Sequence, residues 1–101
     1  MTSSAHEVPR PQANKVRVTD DTLTVELVDG RTVSAPVTWF PRLAHATADE
    51  RSNWRLVGRG EGIHWPDLDE DISVDSLLKG LASGETQASL DRWLKSREGT
   101  G

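Results

Sequence analysis

The sequence predicts an α+β fold: a small antiparallel sheet, made of a three-stranded meander plus two short strands, with short helices and a C-terminal amphipathic helix. Three observations carry this. Apolar residues alternate with polar ones on both sides of an Asp29-Gly30 pair. Two more short apolar runs flank a glycine-rich link, Gly58-Arg59-Gly60-Glu61-Gly62. Capping signals for brief helices recur between and after them. At 101 residues there is room for one domain, and a chain of this size buries roughly two thirds of its extended surface in one modest core.

Residues 1–13 are polar, hold Pro9 and Pro11 and show no periodicity, which predicts a disordered tail. The domain then runs over 14–84. Val16 and Val18 alternate with Lys15 and Arg17, and Asp20-Asp21 marks a turn. Leu23, Val25 and Leu27 alternate with Thr24, Glu26 and Val28, a period of two with one apolar face. Asp29-Gly30 predicts a hairpin with a type I′ turn, and Thr32–Ala35 return until Pro36 removes a donor.

Pro41 suits a first helical turn, with Leu43 and Ala46 facing inward. Thr47-Ala48-Asp49-Glu50 fits a capping box for a helix ending near Asn53. Trp54–Gly58 and Gly62–Trp65 read as strands, and Pro66 closes the second. Ser73 is the expected N-cap of a helix over 74–79, with Ile72 and Leu77 at the positions of a hydrophobic staple. Leu77, Leu78 and Leu81 form its expected buried stripe, and Gly80 or Gly84 the stop. Over 85–101, Leu90, Trp93 and Leu94 stand at i, i+3 and i+4 of the final helix, and Glu98–Gly101 are expected to fray.

Composition excludes several classes of function. There is no cysteine, so disulfides, thiolate metal sites and cysteine nucleophiles are ruled out. A net charge of −4 offers no global attraction to nucleic acid. No apolar run approaches the roughly 20 residues that span a bilayer, and the first residues lack the pattern of a signal peptide. The expectation is a cytoplasmic protein.

Several segments together resemble a bacterial and phage family, the domain of unknown function numbered 2442. They are Leu27-Val28-Asp29-Gly30-Arg31, Phe40-Pro41-Arg42-Leu43, Ala46-Thr47-Ala48-Asp49-Glu50-Arg51, the run Gly62 through Ser73, and Leu77-Leu78-Lys79-Gly80. The resemblance covers about residues 14–81 and implies a small α+β domain. Members of that family are functionally uncharacterised. Some carry an added helix-turn-helix module, and others are encoded beside a second small protein, as in a toxin–antitoxin pair. After Gly84 this chain has room for one helix, fewer than a helix-turn-helix needs.

The chemical candidates crowd one stretch, His64 to Asp71. Asp67, Asp69 and Asp71 have the spacing that opens a calcium loop, but the sixth and twelfth positions are Ile72 and Leu78 instead of Gly and Glu. Turn and helix-capping chemistry accounts for the same acids. His64 has nearby carboxylates but no nucleophile or second histidine at a telling spacing, so no catalytic residue is assigned. Gly58–Gly62 lacks the Lys-Ser/Thr ending of a phosphate loop. No metal and no cofactor is called for.

The charge distribution is uneven. Arg42, Arg51, Arg55 and Arg59 outnumber the acids between 42 and 59, while 61–75 holds six acids and no Lys or Arg. The expectation is a non-catalytic protein-interaction domain, antitoxin-like as the gene pairing of its relatives implies. Its contacts fall on His64, Trp65, Asp67, Asp69, Glu70 and Asp71, with Trp93 on a second surface, and its partner is a small protein encoded by an adjacent gene. The alternative is an oligomeric DNA-binding regulator that uses the four arginines on phosphates.

Overall fold

The computed structural model describes residues 10–99; residues 1–9 of the expected tail, and the last two of the expected frayed end, lie outside them. Two three-stranded antiparallel sheets and four short-to-medium helices make up the α+β fold. The first sheet is the meander β1 (Ala13–Val18), β2 (Thr22–Leu27) and β3 (Thr32–Pro36). Leu23, Val25 and Leu27 are all buried, and the alternation of β2 is as the sequence predicts.

Two details of this sheet differ from expectation. Ala13, assigned to the tail, is a buried residue of β1. A bulge between Ala13 and Lys15 inserts one extra residue and so reverses the side-chain parity. That is why Ala13 and Val16, three apart, both face the core. The hairpin turn is also not type I′. The Gly30 amide donates to the Leu27 carbonyl at 3.0 Å, and only Gly30 in the turn has positive φ (96°). This is a type I turn closed by a left-handed glycine, the common three-residue alternative.

A single 3-10 turn over Val37–Trp39 leads into α1 (Pro41–Ala44), with Pro41 at its start. Val37, Phe40 and Leu43 are buried. In α2 (Ala48–Ser52) the Thr47 hydroxyl accepts from the Glu50 amide and the Glu50 carboxylate accepts from the Thr47 amide, the predicted capping box.

The second sheet is larger than the sequence suggested. β4 (Arg55–Val57) and β5 (Gly62–Trp65) are joined by β6 (Glu70–Ser73), which pairs with β5 from Trp65↔Glu70 to Gly62↔Ser73. Half of the acidic stretch is therefore strand, and only Pro66–Asp69 reverses the chain. Leu68, the apolar residue of that tip, turns back into the core and is fully buried. Gly58, Arg59 and Gly60 link β4 to β5 with three successive left-handed residues, at φ 57°, 62° and 85°.

α3 (Val74–Leu78) is capped by the Ser73 hydroxyl, which accepts from the Ser76 amide. Ile72 and Leu77 are both buried, consistent with the staple. The predicted stripe is corrected: Val74 and Leu77 face inward, whereas Leu78 and Leu81 are exposed. The helix stops at Gly80 (φ 74°). There the Gly80 amide donates to Leu77 and the Leu81 amide to Ser76, a Schellman motif that carries Leu81 outward. α4 (Gln87–Gly99) continues through Glu98, where fraying was expected. Leu90 is buried, and Trp93 packs against a core that draws on both sheets.

The two sheets meet closely at Gly60. A Cβ there would lie 3.0 Å from the carbonyl oxygen of Ala13, in a backbone conformation that L-residues disfavour by about 1–2 kcal/mol. Gly60→Ala should lower stability by at least that much, read as a fall in urea midpoint. Gly84→Ala, where a Cβ meets nothing within 4 Å, should leave the midpoint within about 0.5 kcal/mol of the parent. Equal effects of the two substitutions would refute the contact.

Candidate functional site

The β5–β6 hairpin organises every residue singled out in the acidic stretch. Its register places His64 opposite Asp71 and Trp65 opposite Glu70. Successive side chains of a strand alternate between faces, so the hairpin has two chemically distinct sides. On the outer side, His64 Nδ1 lies 2.8 Å from Asp71 Oδ1. His64 thus joins a cross-strand pair with a largely exposed carboxylate. On the inner side, Trp65 is fully buried and its indole N–H donates to the Arg51 carbonyl at 3.1 Å. Glu70 shares that inner side with Ile72.

At the tip, Asp67 accepts from the Asn53 side-chain amide at 2.9 Å. Asp69 is exposed and takes a left-handed conformation (φ 50°), which short acidic and amide side chains tolerate better than most. Among the described residues, no three His, Asp or Glu side chains gather into a group that could hold a metal.

Glu70 is the unusual member. It is half-buried, and no described residue hydrogen-bonds or ion-pairs with its side chain. Burial, then the nearby Glu85, push its carboxyl up to about 7, against the opposing pull of Arg42. Arg42 does not reach it because its donors are committed elsewhere. Its Nε and Nη2 donate to the Glu85 carboxylate at 2.8–3.0 Å, and its Nη1 to the carbonyls of Leu68 and Asp69 at 3.0 and 3.3 Å. The hydrogen-bonded Glu85 holds the Arg42 guanidinium above its usual range, and Arg42 in turn holds Glu85 below the usual carboxylate range.

The four arginines considered for phosphate contact divide into two pairs. Arg42 is largely buried in the pair just described. Arg51 donates to the Leu43 and Ala44 carbonyls at 2.9 and 3.0 Å, closing the end of α1. Neither presents its charge to a ligand, which corrects the expected basic patch. Arg55 and Arg59 remain exposed. Trp93 is likewise not a free aromatic surface. The Arg42 and Arg97 guanidinium groups lie 5.2 and 4.6 Å from its ring centroid, cation–π geometry that fastens α4 to the domain. Arg97 also donates to Glu50 at 2.8 Å.

Sequence reasoning missed Glu85 entirely, because its partner lies 43 residues away and no local pattern links them. It also grouped Glu70 with the exposed acids. The parity with Ile72 was the available signal, and it needs β6 to be recognised as a strand.

Arg42→Met should cost about 2 kcal/mol, between the values for exposed and fully buried pairs, measured by urea unfolding. The pH dependence has two limbs of opposite sign. Glu85 and Glu50, lowered by their hydrogen bonds to Arg42 and Arg97, add stability that is present above their ordinary value of 4.5 and lost as pH falls through their folded values. Glu70 is raised, so its contribution is complete below 4.5 and lost as pH rises through about 7. Glu70→Gln should abolish that second decline, seen as a flat urea midpoint from about pH 5 to pH 8. A decline unchanged in this variant would rule Glu70 out as its source.

Two solved structures are similar in fold. One is the crystal structure of a protein of unknown function from Rhodospirillum rubrum. It is 30% identical, with a TM-score of 0.66 over 81% of this chain and 99% of that one. The other is the solution structure of an uncharacterised protein from Chromobacterium violaceum. It is 19% identical, with a TM-score of 0.62 over 72% of this chain and 69% of that one, and it supports the fold alone. No functionally curated protein matches. The family model described as "Protein of unknown function (DUF2442)" matches residues 13–83, the stretch that contains both sheets and α1 to α3, and the chain belongs to that family.

Proposed function

We propose that this chain is a non-catalytic protein-interaction domain of the bacterial cytoplasm, the antitoxin-like partner of a small protein encoded beside it. The observation that carries the reading is one mixed surface. Asp71, on the exposed side of β6, and Leu81, exposed beyond α3, line the same cavity. An exposed leucine beside a largely exposed carboxylate makes an apolar contact area with an acidic border, and such borders steer partners of opposite charge.

The remaining groups support the same reading by what they are bonded to. His64 is held by Asp71, and Asp67 by Asn53. Among the described residues, no helix is long and apolar enough to cross a membrane. The pairing with a neighbouring gene product comes from the resemblance to the family, and the partner is expected to present a basic surface. The alternative of an oligomeric DNA-binding regulator retains only Arg55 and Arg59 of its four cations, too few phosphate contacts for a steep salt dependence.

Co-expression with the adjacent gene product should give one complex on gel filtration at concentrations on the order of 1 μM. Asp67→Lys with Asp71→Lys should slow its association at low salt. Separate elution of the two proteins would overturn the proposal.

A further inference from the structure

A cavity of about 270 Å³ opens between β6 and the segment that follows α3. Phe40, Ile72, Leu81 and Ala82 are its apolar lining residues, Ser83 and Gly84 line it as well, and Glu70 is the acidic lining residue on the core side of β6. Pockets for drug-sized ligands begin near 300 Å³, so this one suits a single side chain better than a whole small molecule.

Among the described residues, no side chain hydrogen-bonds or ion-pairs with the Glu70 carboxylate. The β5–β6 register puts Glu70 opposite Trp65 and on the core side of the strand. The neighbouring guanidinium of Arg42 is engaged at all three nitrogens by Glu85, Leu68 and Asp69. A half-buried carboxylate without a donor either takes up a proton or is met by a cation from outside.

We propose that this cavity receives one lysine or arginine side chain of a protein partner, whose aliphatic stem lies along the apolar wall and whose charged head meets Glu70. The inference rests on the protein-interaction reading above and names the chemistry that reading requires of the partner. Lysine and arginine suit such a site because their stems bury readily while their heads seek an anion. Leu81, exposed and part of the cavity lining, provides apolar contact for the residues flanking that side chain.

Entry of the cation is linked to proton release. Of the residues lining the cavity, only Glu70 and Asp71 carry ionisable side chains. The other charged groups acting on Glu70 are Glu85, Arg42 and Asp69. Glu85 is already neutralised by Arg42, and the Asp71 carboxylate is paired with His64. Glu70 is therefore the group whose charge state changes on binding.

The test is a backbone NMR titration of the isolated full chain with Nα-acetyl-arginine methylamide and Nα-acetyl-lysine methylamide, and with the uncharged norleucine analogue as control. Saturable shifts confined to residues 70–73 and 81–84 are expected with at least one charged probe. They should be strong near about pH 8, weak near about pH 5.5, and absent in Glu70→Gln. Equal shifts with norleucine, or shifts that survive Glu70→Gln in a folded variant, would overturn the proposal. In the complex with the neighbouring protein, Glu70→Gln should weaken affinity about tenfold, and an unchanged affinity would also overturn it. Failure of the titration while the two proteins still co-elute would remove the pocket and leave the interaction reading standing. Separate elution despite a positive titration would overturn the protein-partner assignment.

Discussion

The Arg42 guanidinium is the point at which otherwise separate parts of this molecule are joined. Arg42 belongs to α1, yet its three nitrogens reach the Glu85 carboxylate ahead of α4 and two carbonyls at the β5–β6 tip. Its flat face lies over Trp93 of α4. A planar group with a rigid fork of donors can satisfy a carboxylate in two places and still offer donors elsewhere. A lysine could neutralise Glu85 but could not also hold the tip carbonyls and stack on the indole. That one side chain touches the final helix, the acidic tip and, through its bond to Glu85, the surroundings of Glu70.

Around this joint, the core is assembled from two three-stranded sheets, the second built of strands of only three and four residues. They stabilise each other by sharing one apolar cluster that runs from Ala13 to Leu77. The devices that bring them together are local ones. The bulge in β1 turns Ala13 inward, and the left-handed Gly58–Gly60 link lets Gly60 approach the Ala13 backbone. Leu68 folds the acidic tip back so that its apolar residue is buried and its aspartates are not.

Much of this could be read in the sequence, and the parts that could not share a cause. The meander, the Thr47–Glu50 box, the Ser73 cap and the final helix are governed by residues within four positions of one another, so their signals survive without tertiary context. β6 was hidden because Glu70-Asp71-Ile72-Ser73 has low strand propensity, and pairing with β5 across a tight tip supplies what propensity does not. Arg42 and Arg51 looked like surface charges because their partners lie on other elements. Leu78 and Leu81 looked buried because helical spacing marks one apolar stripe; the core takes only Val74 and Leu77 of it, and the Gly80 stop, one of the two expected, carries Leu81 outward. The acidic stretch was recognisable as the informative region, but its division into an outer pair, His64–Asp71, and an inner unpaired Glu70 depends on strand register.

That division leaves two carboxylates competing for one guanidinium. Glu85 holds it because bidentate geometry outweighs a simple charge contact, and its Ser89 hydroxyl bond steadies it further. Glu70 lies on the edge strand of its sheet, where an inward-pointing charge discourages pairing with a second copy along that edge. Protection of the edge accounts for an acid on β6, but it would be served equally well by a carboxylate that bonds within the fold. A carboxylate left unmatched beside a cavity, with its nearest cation saturated, is poised to respond to any positive group that enters. The interaction that fastens α4 to the domain is thus the same one that keeps Glu70 available.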